Sequence, residues 1–231
     1  MNLALLGHGR MGQLVEELAR RKGLNVKLIL DERNNSSQQG LTAENLEAID
    51  VCIDFTTPEA VVGNMERLSR LGKKMVVGTT GWYKELDRVR ALVHDGKAGL
   101  VYSPNFSISM NIFYKIVAEG ARWFHAISLY DPWIEEAHHK MKKDAPSGTA
   151  LRLKQILAEA YKTGEIPTTS LRAGYIPGTH RVGFDSEADS VTLTHTARSR
   201  MAFAEGALMA ASWIRERVGI YEFSEILFGD C

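Results

Sequence analysis

Short apolar runs alternate with amphipathic stretches through the first hundred residues. Leu3 to Leu6 is the first run, and Met11, Leu14, Val15, Leu18 and Ala19 follow at three- and four-residue spacing, the period of a helix with one apolar face. Val26 to Leu30 is a second run, and the polar stretch Asn34 to Gly40 beyond it reads as a loop. Val51 to Phe55 is a third, ending in Thr56-Thr57-Pro58, where Pro58 suits the first turn of a helix reaching about Leu71. Met75 to Val77, a helix over roughly Tyr83 to His94 and a strand at Leu100 to Tyr102 continue the alternation. Strands separated by helices of this length fold as right-handed βαβ units on a parallel sheet.

Beyond Ser103-Pro104-Asn105-Phe106 the pattern changes. A helix from about Ile108 to Phe124 leads into a strand-like stretch, Ser128 to His138, interrupted by Asp131-Pro132. A loop with three lysines precedes a helix starting near Ser147, and Arg181 to Asp185 with Val191 to Thr196 reads as an antiparallel hairpin. A last helix, about Met201 to Arg217, carries small residues on one side. The reading is an α/β chain with a parallel half and a mixed half that meet near Asn105 to Asn111.

Composition narrows the classes. The 231 residues suit one large domain or two small ones, and 45% hydrophobic with 24% charged is an ordinary globular balance. Lys plus Arg and Asp plus Glu each number 28, so the formal net charge is zero, which argues against a nucleic-acid partner. No apolar run approaches the roughly 18 residues of a membrane span. The N-terminal residues lack the basic flank of a signal peptide, and Cys52 and Cys231 cannot build a disulfide framework, so a reducing, soluble compartment is expected.

Two segments carry candidate chemistry. Gly7-x-Gly9-x-x-Gly12 follows a strand, opens a helix and precedes Asp31 by nineteen residues. In that arrangement the first glycine makes the turn, the second admits a pyrophosphate and the third allows close helix packing, while the acid accepts from a ribose. The competing reading is a glycine-rich turn that binds no dinucleotide. Gly78-Thr79-Thr80-Gly81, at the end of another strand, suits either a ligand loop or a plain turn. The second segment, Glu136 to Thr149, holds His138, His139, Lys140, Lys142, Lys143 and Asp144 before Ala145-Pro146-Ser147-Gly148-Thr149. Adjacent histidines on a strand point to opposite faces, which makes a shared metal awkward, and Ser147 lacks a nucleophile's strand–elbow context, so no metal is expected. A solvated basic loop is the plain alternative. The better reading is an anion-binding catalytic loop, because lysines, hydroxyls and free N–H groups converge at a helix start beside a histidine suited to proton transfer. His8, His125 and His195 stand singly and read as structural, with a backbone contact to the pyrophosphate as the alternative for His8 inside the glycine loop, and Cys52 reads as core.

Glu136-Ala137-His138-His139 with Lys142, Asp144 and Ala145-Pro146-Ser147-Gly148-Thr149-Ala150 closely resembles the motif of the bacterial 4-hydroxy-tetrahydrodipicolinate reductases. Gly7 to Gly12, Asp54-Phe55-Thr56, Gly78 to Gly81, Pro104 to Ser107 and Ser199-Arg200 resemble further family segments in the same order. The resemblance implies a Rossmann-like dinucleotide-binding domain at 1–107, rejoined by 201–231, and a central mixed α/β domain at 108–200 for substrate binding and oligomerisation. It implies His138 as general acid, Lys142 as essential cation, and His139, Ser147, Gly148, Thr149 and Thr80 as substrate contacts. Gly7, Gly9, Arg10, Met11, Gly12, Asp31, Arg33, Gly78, Thr80, Ser103, Asn105 and Phe106 would contact the coenzyme. The implied reaction is NADH- or NADPH-dependent reduction of a cyclic dicarboxylate with loss of water, in diaminopimelate and lysine biosynthesis, by a cytoplasmic homotetramer.

Asp31 favours NADH and Arg33 could instead pair with a 2′-phosphate, so dual use with a modest lean to NADH is expected. Two other readings compete: a non-catalytic NAD- or dicarboxylate-binding module, and a related amino-acid-pathway dehydrogenase. The intact His138 and Lys142 loop disfavours both.

Overall fold

The computed structural model describes residues 1–229. Along the chain the elements run β1 (Asn2–Leu6), α1 (Arg10–Arg21), β2 (Asn25–Leu30), α2 (Glu32–Asn35), α3 (Ala43–Leu46), β3 (Val51–Asp54), α4 (Pro58–Arg70), β4 (Lys74–Val77), α5 (Leu86–Asp95) and β5 (Gly99–Tyr102). They continue with α6 (Ile108–Ile127), β6 (Asp131–His138), α7 (Gly148–Tyr161), β7 (Thr168–Arg172), β8 (Thr179–Asp185) and β9 (Ser190–Thr196). The last are α8 (Met201–Ile214), β10 (Gly219–Glu222) and α9 (Phe223–Phe228). Two compact units result, one of Met1–Ile108 with the segment from Met201 on, the other of Ser109–Arg200.

The first unit is built on a parallel sheet in the order β10-β5-β4-β3-β1-β2. A parallel sheet covered on both faces needs apolar strands, and β1, β3, β4 and β5 are largely so. Leu3, Leu5, Ile53 and Val76 enter one core with Val15 and Leu18 of α1 and the alanines of α8. Ala4, Leu6, Cys52, Met75 and Val77 enter the other with Val61, Met65 and Leu68 of α4 and Val89 and Val93 of α5. The small side of α8 has a steric reason. A Cβ on Gly206 would stand 1.8 Å from the Phe106 carbonyl oxygen, and Ala204, Ala207, Ala210 and Ala211 pack into the same core.

The second unit has a mixed sheet in the order β7-β6-β8-β9, with β6 parallel to β7 and antiparallel to β8. Met110, Phe113 and Val117 of α6 and Ala150, Leu153 and Leu157 of α7 pack on Ile134, Val182 and Phe184. On the opposite face Thr169, Leu171, Arg181, Thr192 and Thr194 are exposed, and Arg181 pairs with Glu135 at 2.8 Å.

Several boundaries differ from expectation. Strand β6 starts at Asp131 rather than Ser128, because Ser128 takes φ +58 and donates through its N–H and its hydroxyl to the carbonyl of His125, closing α6. The stretch read as a loop after β2 overlaps the short helix α2, which Asp31 caps. Helix α8 ends at Ile214, short of Arg217. Strands β7 and β10 were not expected: Thr-Thr-Ser-Leu-Arg is mostly polar, and Gly-Ile-Tyr-Glu is four residues long. Among the described residues no helix is long and apolar enough to cross a membrane. Cys52 is buried and free, and Cys231 lies outside the described residues.

Candidate functional site

In the first unit all strands end at one sheet edge, where the turns after β1 to β5 collect. Strand β1 has β2 on one side and β3 on the other, which marks the switch point where open α/β sheets take ligands. Gly7 adopts φ +84, and a Cβ there would stand 2.5 Å from the Phe55 carbonyl oxygen. A Cβ on Gly12 would stand 2.1 Å from the Gly7 carbonyl oxygen, so α1 seats against the turn only with glycine. Gly9 is exposed, with nothing within 4 Å of where a Cβ would be. Helix α1 starts with no side-chain cap and no acid in its first turn. Open backbone, free N–H groups and the positive end of the helix dipole are what a bound diphosphate requires, so these residues fit a dinucleotide.

Of the other expected coenzyme residues, Arg10 is exposed and Met11 packs against the core. His8 is engaged with Glu16 at 2.7 Å. Asp31 directly follows β2 and uses Oδ1 to accept from the Arg33 N–H at 2.9 Å, while Arg33 is exposed. Ser103 and Asn105 hold their own turn: the Ser103 hydroxyl donates to the Asn105 carbonyl at 2.9 Å, and Asn105 Oδ1 accepts from Ser107 N–H at 2.9 Å. Phe106 is a core side chain, its ring centroid 4.9 Å from that of Phe223, so the ring is committed to packing.

Asp54, at the end of β3, ties two of these turns together. Its Oδ1 accepts from Thr56 N–H at 2.8 Å, Thr56 Oγ1 at 2.6 Å and Thr79 Oγ1 at 3.0 Å, and Oδ2 accepts from Asn64 Nδ2 at 2.9 Å. Burial pushes its carboxyl above the usual range, against the pull of those donors. Thr79 is thus an anchor, whereas Thr80 beside it is exposed. Gly78 is required by packing, since a Cβ there would meet the Phe55 ring at 2.1 Å.

In the second unit the covered sheet face changes character along its length. Side chains two apart on a strand share a face, so Pro132, Ile134, Glu136 and His138 all point inward on β6. Register then makes rows. Ile134 lies beside Thr168 and Val182; Glu136 lies beside Ser170 and His180, and His180 beside His195; His138 lies beside Arg172. The apolar rows form the core and the last two rows are polar. The start of α7 meets these polar rows.

Glu136 is fully buried and ionised. Oε1 accepts from Arg172 Nη2 at 2.6 Å and from the Ser147 N–H at 3.3 Å, and Oε2 is in ion-pair contact with His138 Nδ1. Burial opposes its charge, but donation from Arg172 and Ser170 and the nearby cations outweigh that and hold its carboxyl at about 2. Arg172 also donates to the Asp144 carbonyl at 2.6 Å. Burial moves His138 below the usual imidazole range, with Lys142 and Arg172 adding to the effect and Glu136 opposing it. His180 is lowered to about 4, chiefly by burial and then by His138. Lys142 pairs with Asp144 at 2.8 Å, and the half-buried His139 faces away from His138.

Ser147 is the N-cap of α7. Its hydroxyl accepts from the Ala150 N–H at 3.2 Å, lies 3.2 Å from His180 Nε2 and is buried. Its N–H and its hydroxyl thus hold the helix start. Gly148 is exposed with open space where a Cβ would be, and Thr149 shares a hydrogen bond with Tyr114. Glu136, His138 and His180 also bring three donor atoms within 4.8 Å of one another, a set that could hold a cation. The guanidinium of Arg172 on Glu136, with Lys142 nearby, makes an anion the better-matched ligand.

Arg172 and His180 were missed in the sequence. Arg172 closes a polar strand with no alternation to find it by, and His180 lies just before the expected hairpin. For Glu136 a signal existed: its i, i+2 relation to His138 on a strand.

Residues 1–106 match the family model "Dihydrodipicolinate reductase, N-terminus", and residues 109–227 match "Dihydrodipicolinate reductase, C-terminus". The chain is 35% identical over 98% of both chains to a 4-hydroxy-tetrahydrodipicolinate reductase of Christiangramia forsetii. It is 36% identical to one of Methanosarcina barkeri, over 98% of this chain and 99% of that one. Among solved structures, a dipicolinate-bound dihydrodipicolinate reductase from Paenisporosarcina sp. TG-14 shares the fold, with a TM-score of 0.79 at 24% identity over 96% of this chain and 97% of that one.

Proposed function

The chain belongs to the dihydrodipicolinate reductase family, and from that membership and the sites above we infer that it reduces 4-hydroxy-tetrahydrodipicolinate to tetrahydrodipicolinate with NADH or NADPH, in diaminopimelate and lysine biosynthesis. The observation that carries the residue assignment is local to the second unit. His138, Lys142 and the start of α7 come from one short segment, and Lys142 is close enough to act on the His138 charge.

A bound nicotinamide coenzyme supplies a hydride at C4 of the substrate ring. The 4-hydroxyl leaves as water with a proton from the ring carbon next to C4, and the double bond so formed takes the hydride at C4 and one proton at that neighbouring carbon, a net uptake of one hydride and one proton. His138 is the proposed proton donor, to the ring carbon next to C4. Its Nδ1 rests on Glu136, which leaves Nε2 to face substrate, and Gly178 gives that nitrogen room: a Cβ there would stand 3.2 Å from it. Lys142 neutralises a ring carboxylate, exchanging Asp144 for it. The N–H groups of Gly148 and Thr149, with the Thr149 hydroxyl, bind carboxylate at the positive end of α7. Ser147 holds them in place from behind. His139 and Thr80 are proposed as further substrate contacts.

On the coenzyme side Gly7, Gly9, Arg10 and Gly12 take the diphosphate, Met11 supports that turn, and Gly78, Thr80, Ser103, Asn105 and the Phe106 backbone serve the nicotinamide half. Asp31, in the turn directly after β2, supports a modest lean to NADH. The open face of the second unit's sheet, with exposed Leu171 among threonines, supports a homotetramer built on it. The proposed compartment is the cytoplasm. The deciding assay mixes the condensation product of pyruvate and aspartate semialdehyde with each coenzyme and follows absorbance of the reduced nicotinamide. Well-folded protein that consumes neither would leave a binding module as the better reading.

A further inference from the structure

The polar end of the second unit's sheet contains more machinery than proton transfer and carboxylate binding need. Glu136 touches both functions at once. Through Oε2 it meets His138 Nδ1, and through Oε1 it accepts from the N–H of Ser147, the cap of α7. Arg172 braces the same oxygen and reaches on to the carbonyl of Asp144, the residue that pairs with Lys142. One fully buried carboxylate therefore lies behind the histidine, the helix start and the lysine loop.

We propose that Glu136 is a positioning residue for the reaction: it keeps the Nδ1 proton of His138 in place, so that Nε2 is the nitrogen presented to substrate and, in the imidazolium that Glu136 favours, carries the proton given up, and it locks the α7 start at the same time. A neutral imidazole carries one proton, and the bond made by one ring nitrogen decides the state of the other. A carboxylate only accepts, so Oε2 is satisfied by Nδ1 only when that nitrogen carries the proton. The groups facing this pair are Arg172 and Ser170 from β7, His180 from β8 with His195 behind it, Ser147 from α7, and Lys142 and Asp144 from the loop. Arg172, Lys142 and burial all oppose a charged His138, and Glu136 is the group that favours it. The inference rests on His138 as the acid, but the tautomer is read without turnover.

Nitrogen-15 NMR of His138 in the coenzyme-free enzyme tests it. Expected are the Nδ1–H tautomer in the wild type and, in Glu136→Gln, loss of that preference with an imidazole pKa lower by roughly one pH unit or more. Kinetics supply the second arm. Glu136→Gln should lose roughly ten- to hundredfold in kcat with the KM for NADH unchanged, and Glu136→Gln with His138→Gln should be no slower than His138→Gln alone. An Nε2–H tautomer in the wild type overturns the proposal even if Glu136→Gln does not fold. An unmoved pKa, or losses that multiply in the double variant, also overturns it. A fully active His138→Gln would instead remove the acid assignment and leave the tautomer result standing.

Discussion

Replacing Asp54 separates a buried acceptor from a buried charge. Asp54→Ala removes four hydrogen bonds at once. Thr56 is half-buried and can find water, but Thr79 and Asn64 are buried, 6% and 1% exposed, and would be left without an acceptor. A buried polar group stranded in this way costs about 1–3 kcal/mol, so two cost about 2–6. Relief from burying the carboxylate offsets part of that, and a net loss of about 2–4 kcal/mol is expected. Asp54→Asn keeps one oxygen where Oδ1 stood, serving three of the four donors. Asn64 then turns its amide over to face the new NH2, so the loss should be about 1 kcal/mol or less. The pH dependence has a definite sign. Because the folded carboxyl is raised above the ordinary aspartate value of 3.8, its contribution to wild-type stability is complete below that value and is lost as pH rises through the folded pKa. Asp54→Asn does not titrate, so it should gain on the wild type between acid and neutral pH. Urea unfolding at pH 4 to 8 measures both effects, and coenzyme quenching of protein fluorescence follows the two turns that Asp54 ties. Equal losses for the two variants, or a wild-type-to-Asn gap indifferent to pH, would refute this account.

Lys142→Ala should retain coenzyme binding and lose roughly ten- to two-hundredfold in kcat/KM, the value of one charge-assisted bond of about 1.5–3 kcal/mol to a carboxylate. Steady-state kinetics beside Lys140→Ala and Lys143→Ala check it; a larger loss in either neighbour would shift the role to that lysine. Asp31→Ala should weaken NADH and improve NADPH, and Arg33→Ala should mainly weaken NADPH. A wild-type preference for NADPH above about tenfold, roughly 1.4 kcal/mol at low salt, would assign the ribose end to Arg33.

Much of this molecule is readable from the linear order of its residues. The apolar runs of β1, β3 and β4 announce a sheet buried on both faces, because such strands cannot carry alternate polar residues. The glycine turn is legible because its reasons are local: Gly7 and Gly12 meet backbone a few residues away or on the adjoining strand end. His138, Lys142 and Gly148 stand out because they share one segment. The strand period itself put Glu136 on the face of His138. What faces that pair was settled only in three dimensions. Arg172 arrives on a strand too polar to be recognised, His180 through antiparallel pairing with β6, and the α7 start through Ser147. Likewise β10 pairs with β5, and α8 seats its glycine on Phe106, after the whole second unit has intervened. Periodicity reports which side of an element is covered, since that depends on neighbours within a few residues. It does not report which distant strand does the covering, because strand pairing is chosen by register and packing across the whole sheet.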